Sequence, residues 1–350
     1  LSITRQLWPF LVVGSGLFGS VFAHEATKRG HSCLVIDKRD HTAGNIYTKE
    51  ENKIHVHQYG PHIFNTNSRK IWDYVNQFCE FNNFTYSPVA NFDGDLFSLP
   101  FNMWTFNQLW GCSTPEEAKQ KIESQKAKIS NPRNLEEWAL ANVGQDIYEK
   151  LIYGYTKKQW MRDPKDLPSS IIKRIPLRFT YNNDYYNSRW SGIPIGGYTQ
   201  IVEKLLEGIE TKLGIDFFSD RKSLEKIAKN IVYTGKIDEL FNYQFGELDY
   251  RSLRFEKELI NSENYQGIAG MNFTSDTVPY TRIIEHKHFE FKKTDSTIIT
   301  KEYPAAWTKS SEPYYPINDD KNTKLYKQYR SLSLTDKNYI LCGRLAEYKY

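Results

Sequence analysis

Short apolar runs that stop abruptly at glycine or an acid recur along this chain. Phe10-Leu-Val-Val13 runs into Gly14, Ser32-Cys-Leu-Val-Ile36 into Asp37, Ile231-Val-Tyr-Thr234 into Gly235, and Tyr339-Ile-Leu-Cys342 into Gly343. Continuous apolar runs of this length suit strands buried on both faces of a parallel sheet. Between the first two lies a helical stretch, 20–29, closed by Gly30, a residue well suited to the position just past a helix end. Strand, helix and strand make a βαβ unit, so an α/β fold is predicted. The two later runs read as further strands of the same sheet, which would make that domain discontinuous in sequence.

The middle of the chain changes period. Ser113-Thr-Pro-Glu-Glu117 offers a cap residue, proline in the first turn and two acids behind it, which predicts a helix to about residue 128. Asn134-Leu-Glu-Glu137 repeats the capping spacing, and Gly144 interrupts an apolar pattern that resumes toward Tyr155. A helical insertion over about 102–160 follows. Segments 177–181, 281–289 and 296–303 are rich in β-branched and aromatic residues and read as strands. The last two are placed to pair antiparallel through the turn at 292–295.

Composition narrows the partners. At 350 residues the chain can hold two or three domains, and its net charge of +4 comes without a long basic run, which excludes a nucleic-acid stripe. Cys33, Cys79, Cys112 and Cys342 lie far apart with no C-x-x-C pair. Neither a zinc site nor a disulfide framework is predicted, and a cytoplasmic setting follows. Glycine and proline interrupt the apolar start, and no stretch reaches the roughly 18 apolar residues of a membrane span. The chain begins on Leu and stops inside an ordered-looking motif, so a fragment is expected.

Gly14-Ser-Gly16-Leu-Phe-Gly19 sits between a strand and a helix. A pyrophosphate needs backbone N–H groups aimed at it with no Cβ in the way. Gly14 allows the tight turn, Gly16 the close approach, and Gly19 the packing of helix on strand, while the helix N-terminus adds its positive end. Asp37, closing the second strand, is placed to accept from a ribose hydroxyl. These residues predict dinucleotide binding. The position at the start of the chain, followed by 38–45, favours FAD over NAD on family patterns rather than on spacing.

Further blocks are specific. Tyr59-Gly-Pro-His-Ile-Phe64, Gly154-Tyr-Thr-Lys-Lys-Gln-Trp160, Ile172-Lys-Arg-Ile-Pro176, Val278-Pro-Tyr-Thr-Arg-Ile-Ile-Glu-His286, Pro313-Tyr-Tyr-Pro316 and Gly343-Arg-Leu-Ala-Glu-Tyr-Lys-Tyr350 occur in this order. From about Leu11 to Tyr350 the chain resembles the bacterial UDP-galactopyranose mutases. That resemblance implies an FAD-binding Rossmann-like domain (1–80, 193–242 and 306–350), a helical insertion (102–160) and an antiparallel β-sheet domain that holds substrate (81–101, 161–192 and 243–305). It implies a cytoplasmic homodimer that interconverts UDP-galactopyranose and UDP-galactofuranose for cell-surface polysaccharide. FAD would act in its reduced form, with flavin N5 making a covalent adduct with the sugar, so no catalytic triad or metal is needed.

By the same resemblance, Arg174 and Arg282 hold the diphosphate, a task for which a guanidinium fork suits better than lysine. Tyr155 stacks on uracil, Trp160 lines the cleft, and Tyr185, Tyr315 and Tyr350 give hydroxyls to the diphosphate. His62 and Arg344 contact the flavin, with Gly44 and Asn45 in the loop after Asp37. Three positions depart from the family pattern: Asn65 replaces a second His, Ala43 the first Gly of a G-G-N, and Met161 the Gly after Trp160. Two other readings stay open, an FAD-dependent oxidoreductase of amine-oxidase-like ancestry and a catalytically impaired truncated homologue.

Overall fold

A computed structural model describes residues 7–173 and 177–349. Five parallel strands make the first sheet, in the order Tyr339–Leu341, Ala228–Tyr233, Trp8–Val13, Cys33–Ile36, Glu210–Lys212. Its first strand starts at Trp8, earlier than the apolar run suggested. Alternate residues feed two cores. Leu11, Leu34, Ile36, Ile231 and Tyr233 point into one. Val12, Val35 and Val232 point into the other, against Ala23 and Ala26 of helix Leu17–Lys28. Burial on both faces is why these strands read as continuous apolar runs.

The second sheet has seven strands, ordered Tyr315–Pro316, Tyr250–Ile260, Thr297–Ala306, Arg282–Glu285, Gly270–Phe273, Val89–Phe92, Asp95–Ser98. It is antiparallel except where Val89–Phe92 runs parallel to Gly270–Phe273. Arg282–Glu285 pairs antiparallel with Thr297–Ala306 as expected, but it stops at Glu285 and a tight 3-10 turn takes 286–290. The hairpin between Val89–Phe92 and Asp95–Ser98 turns on Asp93 and Gly94, both at positive φ. That Asp-Gly pair is a strong hairpin cue, and the sequence reading passed over it.

Segment 177–181 is not a strand. Arg178 N–H bonds the Phe101 carbonyl and Met103 N–H the Thr180 carbonyl, but no ladder continues from them. Phe179 packs on Phe106 instead, which explains its apolar pattern.

The helical insertion contains Met103–Trp110, Pro115–Gln125 and Leu135–Asn142. Thr114 and Glu117 form the reciprocal box that caps the second. At the third, Asn134 accepts from Glu137 N–H, while the Glu137 carboxylate reaches Arg133 N–H at 2.8 Å. After Gly144, a wide π-helical turn, Tyr148–Tyr153, leads into helix Gly154–Trp160. Phe106, Leu135, Ile147 and Ile152 share one core with Ala90 and Phe97 of the second sheet and with Leu167 and Ile172.

Candidate active site

The Gly-rich turn is built from close backbone approaches. A Cβ on Gly14, whose φ is +108°, would overlap Thr234 Oγ1, and one on Gly19 would overlap the Gly14 carbonyl oxygen. Ala43 N–H bonds the Ser15 carbonyl at 3.0 Å, and a Cβ on Gly44 would come within 3.0 Å of Gly16 Cα. Loop 43–45 therefore lies directly on the turn. Helix Leu17–Lys28 starts at Gly16 with no side-chain cap and no acid in its first turn, so its positive end is left for an anion. These features fit a dinucleotide pyrophosphate. Asp37 Oδ2 accepts from Ser15 N–H and Oγ–H, both at 2.7 Å, and its Oδ1 accepts from Arg39 N–H at 3.0 Å. Its carboxylate locks the end of the second strand to the turn, and a ribose hydroxyl would share those oxygens.

A cavity of about 1100 Å³ opens beside Asn45, which follows Gly44. The second sheet forms its floor. Asn272, Arg282 and Glu302 stand opposite one another on three neighbouring strands, so they share one face. Arg282 donates from Nε to Glu302 Oε2 at 2.9 Å and from Nη2 to Oε1 at 3.1 Å. Burial works against the Arg282 charge, yet the Glu302 carboxylate beside it more than offsets this and holds the guanidinium well above its usual pKa. Further along the same face, Arg251 faces Ala306 on one side and Tyr315 on the other.

Helix Gly154–Trp160 supplies one wall, with Tyr155 and Trp160 on the cavity. Burial raises the Tyr155 phenol, keeping it neutral. Gly154 sits so near segment 274–276 that a Cβ would overlap the Thr274 carbonyl oxygen. One turn on, Lys158 Nζ donates to the carbonyls of Phe273 and Tyr280, each at 2.9 Å. The helix that carries Tyr155 is thereby pinned to both arms of the hairpin leading into Arg282.

His62 lies on the wall nearest Asn45, and its Nδ1 is 2.9 Å from the Gly60 carbonyl. A carbonyl can only accept, so Nδ1 carries the proton and Nε2 is left as an acceptor. Burial drives its pKa down to about 4. Behind it, His57 Nδ1 accepts from His62 N–H at 3.2 Å, and His286 Nδ1 accepts from His57 N–H at 3.3 Å. Burial holds both of these imidazoles neutral too, His286 down to about 3.

Of the residues singled out from sequence, Asn45, His62, Tyr155, Trp160, Tyr185 and Arg282 line this one cavity, as do Tyr315 and Arg344. Arg344 sits in the short helix Gly343–Ala346, three residues past the end of strand Tyr339–Leu341. Tyr186 lines the cavity alongside Tyr185, and both rings contact Tyr86. Gly14, Gly16, Gly19, Asp37 and Gly44 form the adjoining turn. Arg174 and Tyr350 lie outside the described residues. Asn65 does not line the cavity; its Oδ1 accepts from Ser188 Oγ at 2.8 Å. Ala43 and Met161 both adopt left-handed backbone, with φ of 71° and 50°. Sequence reasoning missed Glu302, Arg251, Tyr86 and Asn272. Glu302 had one cue, an acid inside a β-branched, aromatic run, since a buried carboxylate needs a partner.

The UDP-galactopyranose mutase family model matches residues 150–350, and a model for NAD(P)-binding Rossmann-like domains matches 12–78. A probable UDP-galactopyranose mutase of Klebsiella pneumoniae is 39% identical over 97% of this chain and 89% of its own length. A dTDP-fucopyranose mutase of Escherichia coli is 36% identical over 97% of this chain and 93% of its own. Among solved structures, reduced UDP-galactopyranose mutase matches with a TM-score of 0.76 at 15% identity, over 98% of this chain and 89% of that one. A dinucleotide turn opening into an arginine-floored cavity thus coincides with sequence similarity along nearly the whole chain, and the chain belongs to the UDP-galactopyranose mutase family.

Proposed function

We propose that this chain interconverts UDP-galactopyranose and UDP-galactofuranose in the cavity, with reduced FAD held along the Gly14–Gly19 turn. The observation that carries the reading is Arg282, a guanidinium kept charged by Glu302 on the floor of a cavity that starts where the Gly-rich turn ends. The FAD pyrophosphate would lie at the helix N-terminus, with Gly16, Gly44 and Asp37 around it and the ring toward Asn45, His62 and Arg344. The substrate diphosphate would lie on Arg282, with Arg174 and the hydroxyls of Tyr185, Tyr315 and Tyr350 as further donors. Tyr155 would stack on the uracil and Trp160 would close the wall.

Reduced FAD, when bound, supplies a nucleophilic N5 for a covalent bond to the anomeric carbon. The chain's own part is electrostatic and positional. Arg282 meets the charge that grows on the diphosphate as the glycosidic bond weakens, and it is oriented beforehand. His62, neutral with Nε2 as acceptor, can take a hydrogen bond from a sugar or flavin group without adding charge. The family resemblance supports a cytoplasmic homodimer serving cell-surface polysaccharide synthesis, and the four free, buried cysteines agree with a reducing setting.

The test is conversion of UDP-galactofuranose to the pyranose form by FAD-loaded protein reduced with dithionite, followed by chromatography. Absence of conversion with FAD bound would remove the reading. dTDP-fucopyranose assayed alongside would show whether the chain shares the substrate named for its E. coli relative. Oxygen-linked turnover of an amine would support the oxidoreductase alternative instead.

A further inference from the structure

Arg251 is 7% exposed, lies on strand Tyr250–Ile260 and lines the cavity. Its Nε donates to the Gln159 carbonyl at 3.3 Å, and its buried Nη2 has no hydrogen-bond partner. Arg282, on the same face and four residues along the register of the strand between them, has Glu302; Arg251 forms no ion pair with any carboxylate among the described residues. Burial works against its charge, but a guanidinium keeps its proton at any ordinary pH. Among the described residues, then, no carboxylate compensates this buried cation at the cavity wall. Such a group is costly unless an anion meets it.

The neighbours indicate which anion. Arg251 faces Tyr315 across the strand pair and touches the backbone one residue before Trp160. Both neighbours line the cavity and neither belongs to the Gly-rich turn. A fork of N–H donors in that position suits a phosphate oxygen, which accepts from two nitrogens at once.

We infer that Arg251 is an anion-binding residue of this cavity, receiving a phosphate oxygen of a bound nucleotide. The inference rests on the function proposed above. Two sources share this chemistry, the diphosphate of the sugar nucleotide and the pyrophosphate of FAD.

The experiment uses the full chain loaded with FAD, comparing wild type, Arg251→Met and Arg251→Gln. UDP affinity, FAD per chain and melting temperature with and without UDP are measured. Arg251→Met should bind UDP roughly 10- to 100-fold more weakly, while its melting temperature without UDP stays level or rises, because an unpaired buried charge has gone. A structural arginine would lower it. Loss of FAD with UDP affinity intact assigns the phosphate to the cofactor. Wild-type affinity for UDP together with wild-type FAD content in either variant overturns the inference and leaves the proposed function standing. Failure of the wild type to bind UDP sinks both. Failure of both variants to fold shows a structural role and also overturns it.

Discussion

Arg282 and Glu302 stand opposite each other on neighbouring antiparallel strands and meet in a two-pronged ion pair, with Nη2 to Oε2 as close as 2.8 Å. The Glu302 side chain is 1% exposed and that of Arg282 18%, so the carboxylate is sealed beneath a guanidinium whose other edge meets the cavity. The pair orients a charge toward substrate before any substrate arrives.

Removing either partner should have separable effects. Arg282→Met should lower kcat/KM by roughly 100- to 1000-fold, the range for loss of one preorganised charge-stabilising donor. Glu302→Gln should cost about 3 kcal/mol of stability, the low end for breaking a buried pair, because cavity water can reach the arginine. The double variant should recover much of that loss, and a double-mutant cycle in urea checks it.

Two of the three departures from the family pattern fall on left-handed backbone. That conformation costs a non-glycine residue about 1–2 kcal/mol. Met161 is 57% exposed and buries little, so Met161→Gly should stabilise the protein by about 1 kcal/mol. Ala43 is fully buried against Val12 and Ala23. Losing its methyl gives back about 0.8 kcal/mol, so Ala43→Gly should fall within about 0.5 kcal/mol of neutral by the same sum. Urea midpoints at constant slope distinguish the two.

Gly154 and Lys158 pin the wall of the cavity to its floor. Gly154→Ala would drive a methyl into the Thr274 carbonyl and should cost about 2 kcal/mol as the helix is forced away. Lys158→Met removes the bonds to Phe273 and Tyr280. A raised KM for the sugar nucleotide with FAD content unchanged is the expected result; unchanged KM would show that the clamp does not position Tyr155.

Acid should weaken the fold well before the carboxylates protonate. His62 and His286 are held neutral by burial, with pKa values near 4 and 3 against 6.5 when unfolded. Below pH 6.5 the unfolded chain binds protons that the folded chain refuses. The stability these groups contribute is therefore complete above pH 6.5 and drains away as pH falls toward 4 and then 3. The slope approaches about 1.4 kcal/mol per pH unit for each imidazole. Urea unfolding at pH 7.5, 6.0 and 5.0 measures it, and His286→Asn should flatten the curve.

The Gly-rich turn was legible because its demands are local. Glycine is required at Gly14 and Gly19 by atoms within the unit or on the adjacent strand, and the cue spans six residues. Helix starts at Thr114 and Asn134 were legible for the same reason, since a cap and its N–H groups lie within one turn. Segment 177–181 misled because β-branched and aromatic residues suit any apolar surface, and Phe179 found one on Phe106. Arg251 offered no pattern at all. An arginine in a strand looks the same from sequence whether it meets water, a carboxylate or a cavity.

From the chain alone came the α/β class, the dinucleotide turn, the helix starts at Thr114 and Asn134 and, through family resemblance, eight residues that line one cavity. Only the tertiary structure decided how those residues are held. Register across the seven-stranded sheet sets Glu302 against Arg282 and puts Ala306 and Tyr315, not a carboxylate, opposite Arg251, although the strands involved lie tens of residues apart. Strand pairing depends on contacts between distant segments, and a local pattern carries no information about which charge will find a partner there.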